Sequence, residues 1–209
     1  MNKNFSDAPF ERYADDCVIH VKTQSRAKEI LRALEARMAE VKLELHPQKT
    51  KIIYCKDSNR KQQFPNIRFS FLGFDFAPRS AKSKTGTLFT SFIPAASKVA
   101  IKRMGKELRG FRLHLHTDKS ISEIAKYYNP VIGGWVNYYG RFYKTKLTQL
   151  LRRINFYLIR WAMRKYKRLR RQRSKAWSYI ISIAQRQPDL FAHWAIGIIP
   201  SKVGLARAV

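Results

Sequence analysis

A chain of 209 residues with 45% apolar and 13% aromatic side chains can bury a core, which speaks against global disorder. Its 42 lysines and arginines outnumber 14 acidic residues and give a formal charge of +28, so a polyanion such as nucleic acid is the expected partner. No apolar run approaches the roughly 20 residues that span a bilayer, the first residues lack an apolar signal core, and the two cysteines lack zinc-ligand spacing; we therefore expect no membrane span, secretion or zinc finger.

The positive charge is concentrated in the second part of the chain. Residues 1–60 carry 12 basic and 9 acidic side chains, a net charge of +3, whereas residues 61–209 carry 30 and 5, a net charge of +25. Between Ile124 and Pro188 there are 16 basic residues and no acidic one. This asymmetry predicts two functional parts, of which the second is the basic one.

The first predicted elements are a hairpin and a helix. Two β-prone runs, residues 10–13 and 17–21, flank an Ala-Asp-Asp turn. From about Ser25 to Lys42 apolar residues recur with the period of an amphipathic helix. His46-Pro47 ends this segment, and residues 51–55 again have the composition of a strand.

An aromatic, alternating segment, residues 68–76, predicts a hairpin or kinked strand around Gly73, and residues 88–93 predict another strand. Beyond Pro94 the pattern becomes helical. The predicted helices cover residues 97–112, 120–139 with an interruption near Pro130 and the following glycine pair, 146–170, and 175–187. In the longest helix a heptad-like seam predicts a buried face: Leu147, Leu151, Ile154, Leu158 and Trp161.

The tetrapeptide Tyr13-Ala14-Asp15-Asp16 is the motif that could carry chemistry. Adjacent carboxylates at a tight hairpin turn present hard oxygen ligands at one place, which suits Mg²⁺, and nucleotidyl transfer depends on that ion. An Asp-Asp turn is also an ordinary hairpin connection, so the tetrapeptide alone leaves both interpretations open.

Further strings place the tetrapeptide in a known context. FERYADDCVIHV resembles the catalytic palm motif of reverse transcriptases, LELHPQKTKIIYC the next palm motif, and FSFLGFDF the primer grip. IGGWVNYYGRF resembles the maturase, or thumb, signature of group II intron proteins, and RWAMRKYKRLR and LFAHW resemble their C-terminal region. The matches follow the family's order over nearly the whole chain, which makes them more specific together than singly.

The resemblance implies an α+β fold. A partial reverse-transcriptase palm, with short antiparallel strands plus one helix, would span residues 1–93, and a helical thumb/maturase-like RNA-binding domain would span residues 94–209. It also implies an intracellular, cytoplasmic RNA-directed DNA polymerase family member that uses Mg²⁺, binds group II intron RNA to aid splicing, and copies an RNA template from a DNA primer.

By the same resemblance, Asp15 and Asp16 would bind metal, and Lys49 would lie near the phosphates of the incoming nucleotide. The primer terminus would be held by Phe71, Leu72, Gly73 and Phe74. The alternatives are a solvated surface lysine at position 49 and plain sheet core at positions 71–74. The aromatic residues of GWVNYY are expected to be core more than RNA contacts.

The basic side chains of the longest helix and of the run after it are the predicted RNA contacts, directed at phosphates without reading sequence. Balancing acidic residues, which solvated helix faces usually carry, are missing there. The predicted contacts are Arg153, Arg160, Arg164, Lys165, Lys167, Arg168, Arg170, Arg171 and Arg173.

The sequence departs from the family before the acidic tetrapeptide, because only 12 residues precede Tyr13. The fingers and the third catalytic aspartate of the family are therefore expected to be absent, as in a truncated remnant, or to come from an N-terminal polymerase half or a second copy. Three functions stay open: a polymerase, a non-catalytic RNA-binding splicing cofactor, and a general cationic nucleic-acid binder.

Overall fold

The computed structural model describes residues 5–201; residues 1–4 and 202–209, which belong to the two predicted domains, lie outside the described residues. The chain divides into two compact units. The N-terminal unit comprises Met1–Phe71 and Phe76–Phe92, and the helical unit comprises Leu72–Asp75 and Ile93–Val209. Strands and helices together give the α+β fold that the sequence predicts.

The N-terminal unit begins with the predicted hairpin. Strand β1 (Phe10–Tyr13) pairs antiparallel with β2 (Asp16–Ile19), and Tyr13 lies opposite Asp16. Helix α1 (Gln24–Glu40) follows, and the Thr23 hydroxyl caps it by accepting the Arg26 amide at 3.2 Å. Both elements confirm the sequence prediction, to within two residues at either end of the helix.

The strand predicted at residues 51–55 is wrong, because this segment has no strand pairing. Its backbone makes one cross-segment bond, from the Tyr54 amide to the Asn66 carbonyl at 2.8 Å, and the Tyr54 ring lies 4.5 Å from that of Phe64. β-prone residues form a ladder only where a second strand supplies a row of backbone partners, and a single bond does not provide one.

Three further strands form a sheet in the order β3-β4-β5: β3 (Phe69–Phe71), β4 (Phe74–Lys82) and β5 (Leu88–Ala96). A two-residue turn joins β3 to β4, which settles the aromatic segment as a hairpin. Strand β5 confirms the prediction at residues 88–93 and continues to Ala96. The turn before it is closed by a bond from the Ser83 amide to the Thr87 carbonyl at 2.8 Å.

In its described residues the helical unit contains five α-helices: α2 (Lys98–Gly110), α3 (Ile121–Tyr139), α4 (Thr145–Lys165), α5 (Arg173–Arg186) and α6 (Ala192–Ala195). Two single-turn 3₁₀ helices, Leu113–Leu115 and Lys167–Leu169, lie between them. None of the helices within residues 5–201 is long and apolar enough to cross a bilayer.

Helix α3 is continuous, so the interruption predicted near Pro130 is wrong. Ser120 and Glu123 form a reciprocal capping box at its start. A proline inside a helix costs about 3 kcal/mol, but both halves of α3 are anchored by buried side chains, among them Tyr128 before Pro130 and Trp135 after it. Tertiary packing therefore outweighs the local preference.

The core of the helical unit is built around α4. All five residues of the predicted seam are buried, with at most 1% of any side chain exposed, which confirms the heptad-like pattern. The helix ends at Lys165, five residues before the predicted end. Beyond it, Arg168 lies in a 3₁₀ turn and Arg171 has a left-handed backbone with φ of +61°, so these two predicted RNA contacts do not lie on α4.

Candidate nucleic-acid interface and acidic hairpin

The acidic tetrapeptide forms the tip of the β1–β2 hairpin. Ala14 and Asp15 are the two turn residues, and Asp16 is the first residue of β2. Ala14 has φ of +52°, a conformation that costs energy for any residue with a Cβ, so a small side chain suits it. Both aspartates are exposed. The turn thus presents two carboxylates to solvent on a short, defined backbone.

These two carboxylates have the chemistry that magnesium prefers, since hard oxygen ligands on one or two acidic residues commonly hold that ion together with substrate phosphates. Within residues 5–201 no group of three or more His, Cys, Asp or Glu side chains is placed to hold a metal. The hairpin therefore fits a partial contribution to a metal site.

Lys49 lies in an exposed turn after His46-Pro47. Its amide donates to the His46 carbonyl at 3.1 Å, and its side chain forms no ion pair with Asp15 or Asp16 among the described residues. The salt bridges of the described residues therefore do not link Lys49 to the acidic pair.

The turn of the predicted primer grip is held by the start of α2 and the end of α3. Leu72 and Gly73 have φ of +48° and +78°. The Leu72 carbonyl accepts the Tyr138 hydroxyl and the Gly73 carbonyl accepts the Ser97 amide, both at 2.9 Å. A Cβ at position 73 would lie 2.7 Å from the Tyr139 hydroxyl oxygen, so glycine is required there.

Phe74 connects the same turn to the aromatic signature. Phe74 is buried, and the centroid of its ring lies 5.2 Å from the ring centroid of Tyr138, 5.1 Å from that of Tyr139 and 5.8 Å from that of Phe142. The FLGF and GWVNYYGRF strings are therefore packing partners, and Trp135 of the second string is also buried. Core packing is confirmed for Trp135 and Tyr139, whereas for Tyr138 the prediction is wrong, because 49% of its surface is exposed.

The loop between α2 and α3 is fastened to the neighbouring helices. The Tyr128 hydroxyl donates to the Phe111 carbonyl at 2.9 Å and lies 2.8 Å from His116 Nε2, and the Trp161 indole donates to the His116 carbonyl at 2.9 Å. His116 thus belongs to a structural network that holds this loop against α3 and α4.

Lys165 completes this attachment. Its ammonium donates to the Thr117 carbonyl at 2.7 Å and to the Lys119 carbonyl at 3.0 Å, and it lies 5.8 Å from the centroid of the Trp161 ring. Lys165 is therefore a predicted RNA contact whose charge serves the fold directly.

A buried polar network, which the sequence analysis did not find, joins α4 to the C-terminal segment. The Asn155 side-chain oxygen accepts from His193 Nε2 and from Trp194 Nε1, each at 2.8 Å, and its nitrogen donates to the Ile198 carbonyl at 3.1 Å. Burial lowers the pKa of His193 to about 3. Asn129 adds a second attachment by donating to the Leu190 carbonyl at 2.9 Å.

The predicted basic residues differ in exposure. Arg153 and Lys165 are half-buried, whereas the others are exposed: Arg160, Arg164, Lys167, Arg168, Arg170, Arg171 and Arg173. In the salt bridges of residues 5–201 no acidic side chain pairs with seven of them: Arg153, Arg160, Arg164, Lys167, Arg168, Arg170 and Arg171. Their charges are thus left for solvent or for a polyanion to neutralise.

Two family models match the chain, one in each part. The reverse transcriptase (RNA-dependent DNA polymerase) model matches residues 1–76, and the group II intron, maturase-specific domain model matches residues 101–179. No curated protein matches. A polymerase segment followed by a maturase-specific segment defines the class as a reverse transcriptase with an intron-specific domain. The chain belongs to the group II intron reverse transcriptase/maturase family.

Proposed function

We propose that this chain binds group II intron RNA through the basic surface of its helical unit and thereby supports splicing inside the cell. The observation that carries the proposal is the run from Ile124 to Pro188, which has 16 basic residues and no acidic one. The maturase-specific match over residues 101–179 overlaps most of this run. Intron RNA is the polyanion that such a domain would meet.

The contacts would be made to phosphates. Exposed guanidinium groups suit them because each offers several donors in a planar fork. Arg168, Arg170 and Arg171 are exposed on the 3₁₀ turn and the residues that follow it. Contacts of this kind give affinity and a steep salt dependence without sequence readout.

The test is the salt dependence of RNA affinity for the Arg168→Gln, Arg170→Gln, Arg171→Gln triple variant. We expect dissociation constants at least about tenfold higher than wild type and a log–log salt slope lower by about two, since each lost phosphate contact removes roughly 0.7–0.9. The matched control removes three exposed charges of α1, Lys28, Arg32 and Arg37, and should change both quantities less. Equal effects of the two triples would contradict an interface on the helical unit.

Specificity for intron RNA needs a competition measurement. A structured group II intron RNA should displace a labelled intron fragment at a far lower concentration than an unrelated RNA duplex of equal length. Equal competition would mean that the chain is a general cationic binder, because phosphate contacts alone do not distinguish the two RNAs.

A second candidate function, RNA-directed DNA polymerisation, is favoured by the exposed carboxylates at the hairpin tip and by the reverse transcriptase match. In that proposal Asp15 and Asp16 bind Mg²⁺, Lys49 faces the nucleotide phosphates, and residues 71–74 hold the primer terminus. A further carboxylate would have to join them, from another polypeptide or from a second copy of this chain.

Primer extension on an RNA template with Mg²⁺ tests this candidate, with the Asp15→Asn, Asp16→Asn double variant as control. Extension that the double variant loses would support polymerisation. Its absence, with RNA binding intact, would leave the splicing cofactor as the function of this chain.

A further inference from the structure

His114 lies in the 3₁₀ turn that packs against α4. Its imidazole stacks on the Tyr157 ring, with centroids 5.8 Å apart and planes at 24°. Nδ1 is buried and has no hydrogen-bond partner among the described residues. A buried Nδ1 without an acceptor holds a lone pair more readily than a proton, so the neutral ring carries its hydrogen on Nε2.

Two arginines of α4 share this environment. Arg160 and Arg164 are one turn apart, both are exposed, and both act electrostatically on His114. Neither forms an ion pair or a side-chain hydrogen bond within residues 5–201. Like charges at this spacing repel each other on a helix, so a bound anion would relieve a cost that the free protein carries.

The surroundings also fix the charge state of the histidine. Burial first, and then the charges of Arg164, Arg160 and His116, lower the pKa of His114. Together with Tyr157, these are the titratable and charged groups that face it from α4 and from its own loop. The ring is therefore neutral near pH 7, a hydrogen-bond donor without a charge.

We propose that His114, Arg160 and Arg164 form one binding site for an RNA phosphodiester, in which His114 serves as a neutral donor beside two guanidinium groups. The inference rests on the proposed RNA binding and adds a specific site to it. It also goes beyond the predicted contacts, because His114 is not a cation and no count of basic residues would find it.

A neutral donor and a cation affect the salt dependence of RNA affinity differently. The cation displaces counterions when it meets a phosphate, whereas the neutral donor adds affinity alone. At pH 7.5, His114→Leu should therefore raise the dissociation constant about tenfold, as expected for a lost bond to a charged group, with an unchanged salt slope. Arg160→Gln should both weaken binding and lower the slope by about 0.7–0.9.

The probe is a short RNA without terminal phosphates, so that no phosphate monoester titrates near pH 6. His114→Gln, whose side-chain N–H can take the place of Nε2–H, should bind within about threefold of wild type. The matched controls are His46→Leu, at an exposed histidine of the N-terminal unit, and Arg152→Gln, at an exposed arginine of α4 that helical spacing places on a different face from Tyr157. Circular dichroism and thermal unfolding establish that each variant is folded.

Several results would overturn the site. If His114→Leu and His114→Gln both bind RNA as tightly as the wild type does, the site is wrong and the proposed function stands. A salt slope lowered as much by His114→Leu as by Arg160→Gln would show a charged histidine. Tighter wild-type binding at pH 6 than at pH 8, abolished in His114→Gln, would show the same. Failure of the wild-type chain to bind any RNA would instead remove the proposed function itself.

Discussion

In the N-terminal unit, Arg26 and Arg37 form salt bridges with carboxylates. In the helical unit, Arg160 and Arg164 are exposed to solvent and have no acidic partner among the described residues. Within the N-terminal unit, salt bridges join Asp7 to Arg26, Arg26 to Glu29, Arg37 to Glu40 and Asp57 to Arg60. In the helical unit, Lys119 and its sequence neighbour Asp118 lie 3.6 Å apart. The N-terminal unit therefore pairs some of its arginines with its own carboxylates, whereas Arg160 and Arg164 of the helical unit are left for an external polyanion to neutralise.

The two units also differ in their cores. Within the described part of the N-terminal unit the buried apolar side chains are few: Ala8, Ile30 and Ala77. The helical unit buries three tryptophans almost completely, Trp161, Trp177 and Trp194, with at most 2% of each exposed. A dense core lets the helical unit carry unbalanced surface charge, because packing supplies the stability that self-repulsion removes.

The largest effect should follow from breaking that core. Trp161→Ala removes a fully buried ring and the bond from its indole to the His116 carbonyl, so we expect a loss of about 3–5 kcal/mol in the free energy of unfolding. Denaturant unfolding followed by circular dichroism measures it. Tyr13→Ala, at a side chain that is 63% exposed, is the control and should cost little. A similar midpoint for both variants would contradict the comparison of cores.

The next effect concerns pH. The pKa of His193 is about 3 in the folded state because of burial, against an ordinary value of 6.5. The unfolded chain therefore binds the proton first: this stability is complete above pH 6.5 and is lost progressively as the pH falls toward 3. Between pH 7 and pH 5 the helical unit should lose about 2 kcal/mol.

Unfolding at several pH values in His193→Gln checks this assignment, since glutamine keeps a donor toward Asn155 and does not titrate. The variant should show a flatter profile between pH 7 and pH 5. The lowered pKa of His114 acts in the same direction and leaves a smaller residual slope. An unchanged profile would rule out His193 as the source.

Lys165 and Lys167 are close in sequence, and their variants can separate charges that stabilise the fold from charges that are available to bind a ligand. Lys165→Gln breaks two bonds to loop carbonyls and should cost about 1 kcal/mol of stability, whereas Lys167→Gln, at an exposed position, should leave stability unchanged. The variants lose the same charge, so any difference in thermal unfolding comes from the loop. Equal unfolding temperatures would show that the loop does not depend on Lys165.

The smallest effect is expected at the surface of the N-terminal unit. Arg37→Ala removes an exposed pair with Glu40, one turn away on α1, and should change stability by less than about 0.5 kcal/mol. A larger loss, measured by the same unfolding experiment at low salt, would mean that ion pairs hold this unit together more than surface pairs usually do.

Local patterns predicted much of this architecture. The heptad-like spacing in α4 correctly gave the buried seam, and the Asp15-Asp16 pair between β-prone runs gave the hairpin. These features depend on neighbours in sequence. The continuity of α3 through Pro130 could not be predicted from the local sequence, because it depends on packing against residues that are distant in the chain.

The functional side chains were harder to predict. Asn155 accepts hydrogen bonds from His193 and Trp194, which lie about 40 residues away in sequence. The hydrogen bond from Lys165 to the Thr117 carbonyl also joins residues that are far apart in sequence. An asparagine within an apolar helix face and the LFAHW string were the available signals for that network. Periodicity classifies such residues as polar interruptions or as core, and it cannot say what they bind.

Asn155 also determines how the chain should respond to a protease. One amide satisfies His193, Trp194 and the carbonyl of Ile198, while Phe191 and Trp194 fill the interior beneath them. If a protease cuts the backbone in the exposed residues 187–189, these contacts would keep the C-terminal piece bound to the rest of the helical unit. Digestion should therefore yield a nicked but associated molecule, which separates into two pieces only when the helical unit unfolds.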